Sequence, residues 1–146
     1  MTLLYKDTSD KIIKAFYKVY NTLGYGFLTN VYKNALHDEL GNLKLTCQKK
    51  KTFKVYYNYK SVGFYFADLV VENCILLEII SVEDIIEEEE LKLVNNLRAS
   101  NIEIGMILNF GKKPQFKRKI FTNDKKKLSL ETLNSYEKDG FKQASI

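Results

Sequence analysis

The chain has no tryptophan, one proline, one histidine, two cysteines and seven glycines in 146 residues, and only two of its 23 basic residues are arginine. Each shortage excludes something. Sparse Pro and Gly argue against collagen-like repeats and low-complexity disorder. Two cysteines make no disulfide scaffold. Cys47 and Cys74 each sit in an apolar, strand-like segment without a second Cys or a His at metal-ligand spacing, so both read as reduced packing residues. A lone histidine, His37, leaves no hydrolytic triad with a plausible nucleophile. No apolar run approaches the roughly 20 residues that span a bilayer, and the longest is broken by Glu78. Residues 1–7 lack the basic, apolar and small-residue regions of a signal peptide, so a cytoplasmic protein is expected. A glycine-rich nucleotide loop is absent too, because Gly24-Tyr25-Gly26 follows a helical pattern rather than a strand.

What is present is ordinary globular material: 45% hydrophobic and 28% charged residues, at a length that suits one domain with one core. The net charge is +5. Lysine is a flexible point charge suited to phosphate, whereas arginine reads guanine edges bidentately. Any nucleic-acid contact should therefore be to backbone rather than to sequence. Lysine-rich usage serves surface solubility equally well, and composition does not separate the two.

Ile12, Phe16, Val19 and Leu23 follow one helical face, which Gly24 ends. A second helix is expected from Leu28 to Leu40, burying Leu28, Val31, Tyr32, Ala35, Leu36 and Leu40, and stopped by Gly41. Residues 44–58, 61–71 and 74–82 are strand-like and form a meander. A charged helix over 84–100 has Ile86, Leu93, Val94 and Leu97 on its apolar side. Strands over 103–109 and 116–121 flank a turn at Gly111–Pro114, and a weak helix over 129–138 ends the chain. The order α-α-β-β-β-α-β-β predicts an α/β fold, a mixed sheet flanked by helices.

Two acids lie inside apolar segments, Asp68 in Phe64–Val71 and Glu78 in Ile75–Ile80. A carboxylate near a sheet core is costly without a partner or a metal. A hairpin centred on Asn73 makes residues 68 and 78 equidistant from the turn, so the two would meet on one face. Hard oxygen ligands there suit magnesium or manganese. An ion pair with a basic residue such as Lys92, or an acid reaching solvent at a strand end, accounts for them as well.

The pieces Gly26-Phe27-Leu28-Thr29-Asn30-Val31-Tyr32, Val62 to Val71 with Ala67-Asp68-Leu69, Leu77-Glu78, and Ile107-Leu108-Asn109-Phe110-Gly111 resemble, in order and spacing, the GxxExxY protein family. That family is similar to a compact branch of the PD-(D/E)XK nuclease superfamily. The resemblance covers about residues 8–121 and implies a restriction-endonuclease-like fold. It implies a magnesium site in which a helix carboxylate, a strand Asp and a Glu-x-Lys activate water for phosphodiester hydrolysis. Asp68 and Glu78 match the Asp and Glu. The helix glutamate corresponds to Thr29 and the strand lysine to Ile80, which can neither donate a hydrogen bond nor offset negative charge. Tyr32 is retained, and core packing explains it. The helix positions that are usually Gln and Tyr read Lys92 and Asn96, and lysine migration to this helix is known in the superfamily. Lys92 is then either the replacement ammonium or a surface lysine beside Glu87–Glu90.

Basic residues cluster, with six lysines and no acid over 44–60 and eight basic residues against Asp124 over 112–127. Lys49, Lys50, Lys51, Lys112, Lys113, Lys117, Arg118 and Lys119 are the candidate phosphate contacts. Phe53, Tyr56, Tyr57, Tyr59, Phe116 and Phe121 are interleaved as stacking platforms or core aromatics. Six acids in residues 83–90 would repel DNA or attract a basic partner. The reading is one nuclease-like domain over 1–121 with a basic tail over 122–146. It would associate with DNA or RNA backbone through these basic residues and carry a degenerate, inactive metal site. The alternatives are a divergent magnesium- or manganese-dependent nuclease using Asp68, Glu78 and Lys92, and an assembly module that forms a homodimer or binds a protein partner. No membrane partner is expected.

Overall fold

In the computed structural model, residues 5–126 are described. Helices α1 (Lys6–Leu23) and α2 (Thr29–Asn42) precede strands β1 (Cys47–Tyr57), β2 (Lys60–Val71) and β3 (Ile75–Ile80). Helix α3 (Glu87–Arg98), strands β4 (Ile104–Phe110) and β5 (Pro114–Ile120) and a short 3-10 turn (Asn123–Lys125) follow. The expected element order holds over the described residues. The expected helix at 129–138 lies outside them.

The five strands lie in sequence order, and only the β3–β4 pair is parallel. A parallel neighbour needs a crossover, and α3 supplies it. Helices therefore cover both faces. On one, Ile12, Phe16, Val19, Tyr32, Leu36 and Leu40 of α1 and α2 pack against Leu69, Leu77, Met106 and Leu108. On the other, Leu93 and Leu97 of α3 pack against Phe53, Val70, Leu76 and Ile107. Interior strand β4 is buried along its whole length. Its apolar run Ile104-Gly105-Met106-Ile107-Leu108 is what a strand covered on both faces requires.

Three expected details differ. Leu28 and Val31 are exposed, Leu28 to 81%, because α2 begins only at Thr29 and turns Tyr32, Leu36 and Leu40 inward. Ile86 is also exposed, standing before the first turn of α3. Pro114, expected in a turn, opens β5 opposite Phe110. It is tolerated because β5 is an edge strand.

The Asn109-Phe110-Gly111 segment locks the sheet. Asn109 Oδ1 accepts from the Val82 N–H at 2.9 Å, and its Nδ2 donates to the Val82 carbonyl at 3.0 Å. Phe110 stacks on Tyr32, with centroids 4.5 Å apart at 14°, and meets Phe16 edge-on. A Cβ at Gly111 would lie 2.0 Å from the Val82 carbonyl oxygen, so this backbone approach requires glycine. Tyr32 is thus a core aromatic. Its hydroxyl donates to the Gly24 carbonyl at 2.7 Å and accepts from the Phe27 N–H at 3.1 Å, tying the α1–α2 loop to α2.

Candidate functional site

The β2–β3 hairpin turns through Glu72 and Asn73, both with left-handed backbone, and pairs Val71 with Ile75, Val70 with Leu76 and Leu69 with Leu77. Residues equidistant from Asn73 face each other, as expected. The next pair would be Asp68 with Glu78, but the ladder stops before it. Asp68 replaces a backbone acceptor, its Oδ2 taking the Ile79 N–H at 2.7 Å. Strict alternation also breaks here, since Ala67 and Val70, three residues apart, both join the α3-side cluster. Opposite on β1, Lys50 has a left-handed φ of 51° and drops out of the β1–β2 ladder.

The two carboxylates take partners from different helices, Asp68 from α2 and Glu78 from α3. Asp68 Oδ1 is ion-paired with Lys33 of α2 at 2.9 Å. Glu78, on the face shared by Leu76 and Ile80, turns to α3, where its Oε1 accepts from Asn96 Nδ2 at 2.8 Å. Glu78 is 3% exposed and Asn96 fully buried. Glu78 Oε2, Asn96 Oδ1 and the Oε2 of nearby Glu89 have no hydrogen-bond partner. Burial pushes the Glu78 carboxyl up to about 7; the Asn96 hydrogen bond and Lys92 act against this, and the Asp68 and Glu89 charges add to it. Asp68, Glu78 and Lys92 are therefore electrostatic neighbours, with Lys92 exposed on α3.

Lys33 was not legible as a site residue, because no spacing rule links α2 to the end of β2. Asn96 was seen only as a position of the resembled motif. Thr29 opens α2, half-buried, and Ile80 is half-buried on the Glu78 face. Among the described residues, no three or more His, Cys, Asp or Glu side chains are gathered to hold a metal ion. His37 Nε2 lies 3.0 Å from the Cys47 carbonyl, a structural contact. Both cysteines are free, and burial raises their thiol pKa values, that of Cys47 to about 11, so neither is an activated nucleophile.

The basic candidates fall on the two edges of the sheet. Lys49, Lys50 and Lys51 are on β1, and Lys117, Arg118 and Lys119 on β5, with Lys112 and Lys113 just before it. Four strand spacings, about 19 Å, separate the edges. Lys49 donates to Asn34 Oδ1 at 3.1 Å, and Lys50 lies over the Phe66 ring at 5.5 Å. Lys119 and Lys117 approach Glu90 of α3 at 2.6 and 3.8 Å, so the acidic run offsets part of the β5 charge. Arg118 is half-buried, and that burial lowers its pKa. Of the interleaved aromatics, Phe53 belongs to the core and Phe121 packs against it, whereas Tyr57 and Tyr59 are exposed.

None of the curated proteins matches the chain. A solved structure, the crystal structure of SSO0001, is similar in fold over 97% of this chain and 70% of its own, with a TM-score of 0.51 and 14% identity. The family model of the PD-(D/E)XK nuclease superfamily matches residues 6–119. That span includes every strand of the mixed sheet but the last residue of β5, together with Asp68 and Glu78 at the point where β2 and β3 part. The chain belongs to the PD-(D/E)XK nuclease superfamily.

Proposed function

We propose that this protein associates with DNA or RNA backbone at low sequence specificity and does not cleave it. The Lys33–Asp68 ion pair carries the second half of that reading. The superfamily's chemistry uses a divalent cation held by the strand Asp and Glu. Here one Asp68 oxygen faces an ammonium and the other a backbone N–H, and one Glu78 oxygen is bound to Asn96. The remaining Glu78 oxygen lies where ionisation is resisted. Lys33 already neutralises Asp68, Thr29 and Ile80 bring no charge, and these residues do not fit a magnesium or manganese ion.

Association is supported by superfamily membership and by lysines on both sheet edges, of which Lys49, Lys50, Lys51, Lys112, Lys113, Lys117, Arg118 and Lys119 are the proposed phosphate contacts. Within the superfamily we place the chain as a divergent GxxExxY-type protein, on the spacing of Gly26, Thr29 and Tyr32 and the Asn109-Phe110-Gly111 lock. Residues 1–121 are taken as the nuclease-like domain and 122–146 as a basic extension. No helix among the described residues is long and apolar enough to cross a membrane, and the free cysteines suit the cytoplasm.

The test is fluorescence anisotropy with labelled DNA and RNA over a salt series, alongside incubation of both with magnesium and manganese. Affinity should fall linearly on a log–log plot, and the nucleic acid should stay intact. Manganese-dependent cleavage lost in Asp68→Ala and in Lys92→Ala would instead establish a divergent nuclease. No salt-sensitive binding, with a stable oligomer or partner complex indifferent to Asp68 and Glu78 substitutions, would establish an assembly module.

A further inference from the structure

The distal part of β1 and β2 leaves the body of the protein as a two-stranded ribbon. Its last core residue is Phe53; beyond it Val55, Tyr56 and Tyr65 are half-buried, and residues 57–64 are exposed. Lys54 pairs with Phe64 and Thr52 with Phe66, so these four share one face. Phe64 is 65% and Phe66 41% exposed, and Lys50 lies over the Phe66 ring. Asn58 and Tyr59 form the two-residue turn, both with positive φ, 50° and 62°. Such turns favour glycine at the second position, and a bulky residue there costs roughly 1–2 kcal/mol. The chain keeps an exposed tyrosine at the tip despite that cost. Five lysines and no acid lie between Thr46 and Asp68.

We propose that the β1–β2 ribbon is a single-strand nucleic-acid arm: bases stack on Phe64, Phe66 and the tip tyrosines while Lys50 and Lys54 hold the phosphates. The inference rests on the association proposed above and adds its location and substrate form. Exposed aromatic rings alternating with lysines match the chemistry of a single strand, which offers π faces and backbone charge together. A duplex hides those faces. A second copy of the ribbon is disfavoured, because self-complementary pairing would set lysine against lysine. Strand addition at the β1 edge is blunted by Lys49-Lys50-Lys51 and the left-handed Lys50.

The test is anisotropy on the full chain with labelled oligothymidine, oligouridine and the corresponding duplex, over a salt series. Both single strands should bind more tightly than the duplex, and any difference between them separates DNA from RNA preference. Phe64→Ala and Phe66→Ala should each weaken single-strand binding by about 5- to 150-fold with the salt slope unchanged. Phe64→Trp should retain affinity. Lys50→Gln and Lys54→Gln should each flatten the slope by about 0.7. Unchanged affinity in both phenylalanine variants, with wild-type binding intact, would overturn the arm and leave the broader association standing. Tighter duplex binding, or ribbon-dependent dimers lost in Phe64→Ala, would also overturn it. No binding to any oligonucleotide would remove both.

Discussion

Glu78 is a buried acid whose one free oxygen has no hydrogen-bond partner. Its carboxyl titrates near 7 in the folded state against an ordinary 4.5. The folded protein holds this proton more tightly than the unfolded chain does. The associated stability is fully present below about pH 4.5 and is lost as pH rises through about 7, leaving a penalty of about 3 kcal/mol. Glu78→Gln keeps an acceptor for Asn96 without the charge. It should stabilise the protein by about 1–3 kcal/mol at pH 8 and by little at pH 4, read from urea midpoints. An equal effect at both pH values would show that packing rather than ionisation matters here. Lys33 plays the opposite part, placing a positive charge where Asp68 has already given up its second oxygen to the backbone.

At the scale of elements, the ribbon and the β4–β5 junction respond oppositely to glycine. Tyr59→Gly relieves a left-handed backbone at the tip and should raise stability by about 1 kcal/mol, while weakening single-strand binding in the same titrations. A stability gain without a binding loss would assign Tyr59 to the turn alone. Gly111→Ala drives a methyl into the Val82 carbonyl. Overpacking of this kind costs about 1–3 kcal/mol. The asparagine clamp on Val82 should loosen with it, seen as faster amide exchange at Val82, whose N–H donates to Asn109. The Asn109-Phe110-Gly111 segment thus acts through packing and the clamp on Val82.

Across the whole molecule, a second buried charge reinforces the pH argument. Lys126 is 3% exposed and donates to the Ser100 and Ile102 carbonyls at 3.0 and 2.6 Å, fastening the segment after β5 to the loop after α3. Burial lowers its pKa to about 8, against a smaller raising effect from Glu103. The unfolded chain binds that proton more readily, so this group's contribution to stability rises with pH between about 8 and 10.5. Glu78 and Lys126 together place a trough near pH 7 to 8. Thermal scans should show it, Glu78→Gln should fill its acid side, and Lys126→Met its alkaline side. Element order, the hairpin centre at Asn73 and the two acids were legible in the sequence, because period-two and helical patterns are local and Asp and Glu stand out among apolar neighbours. The Lys33 pair, the break in alternation at Asp68, the exposed Leu28 and the Lys126 clasp were not, since each depends on how separate elements dock.

The Lys33–Asp68 pair also bears on reversibility. Thr29 and Lys33 lie one turn apart on α2, so Thr29→Glu would be captured by Lys33 before it could serve a cation. Ile80→Lys would add an ammonium to a neighbourhood that already contains one. The double variant Thr29→Glu with Ile80→Lys should therefore leave labelled DNA uncut in manganese, and only the further change Lys33→Ala should release cleavage. Under the proposed reading, Lys33 makes the two superfamily residues ineffective singly and together, so cation binding would come only through a linked set of three changes.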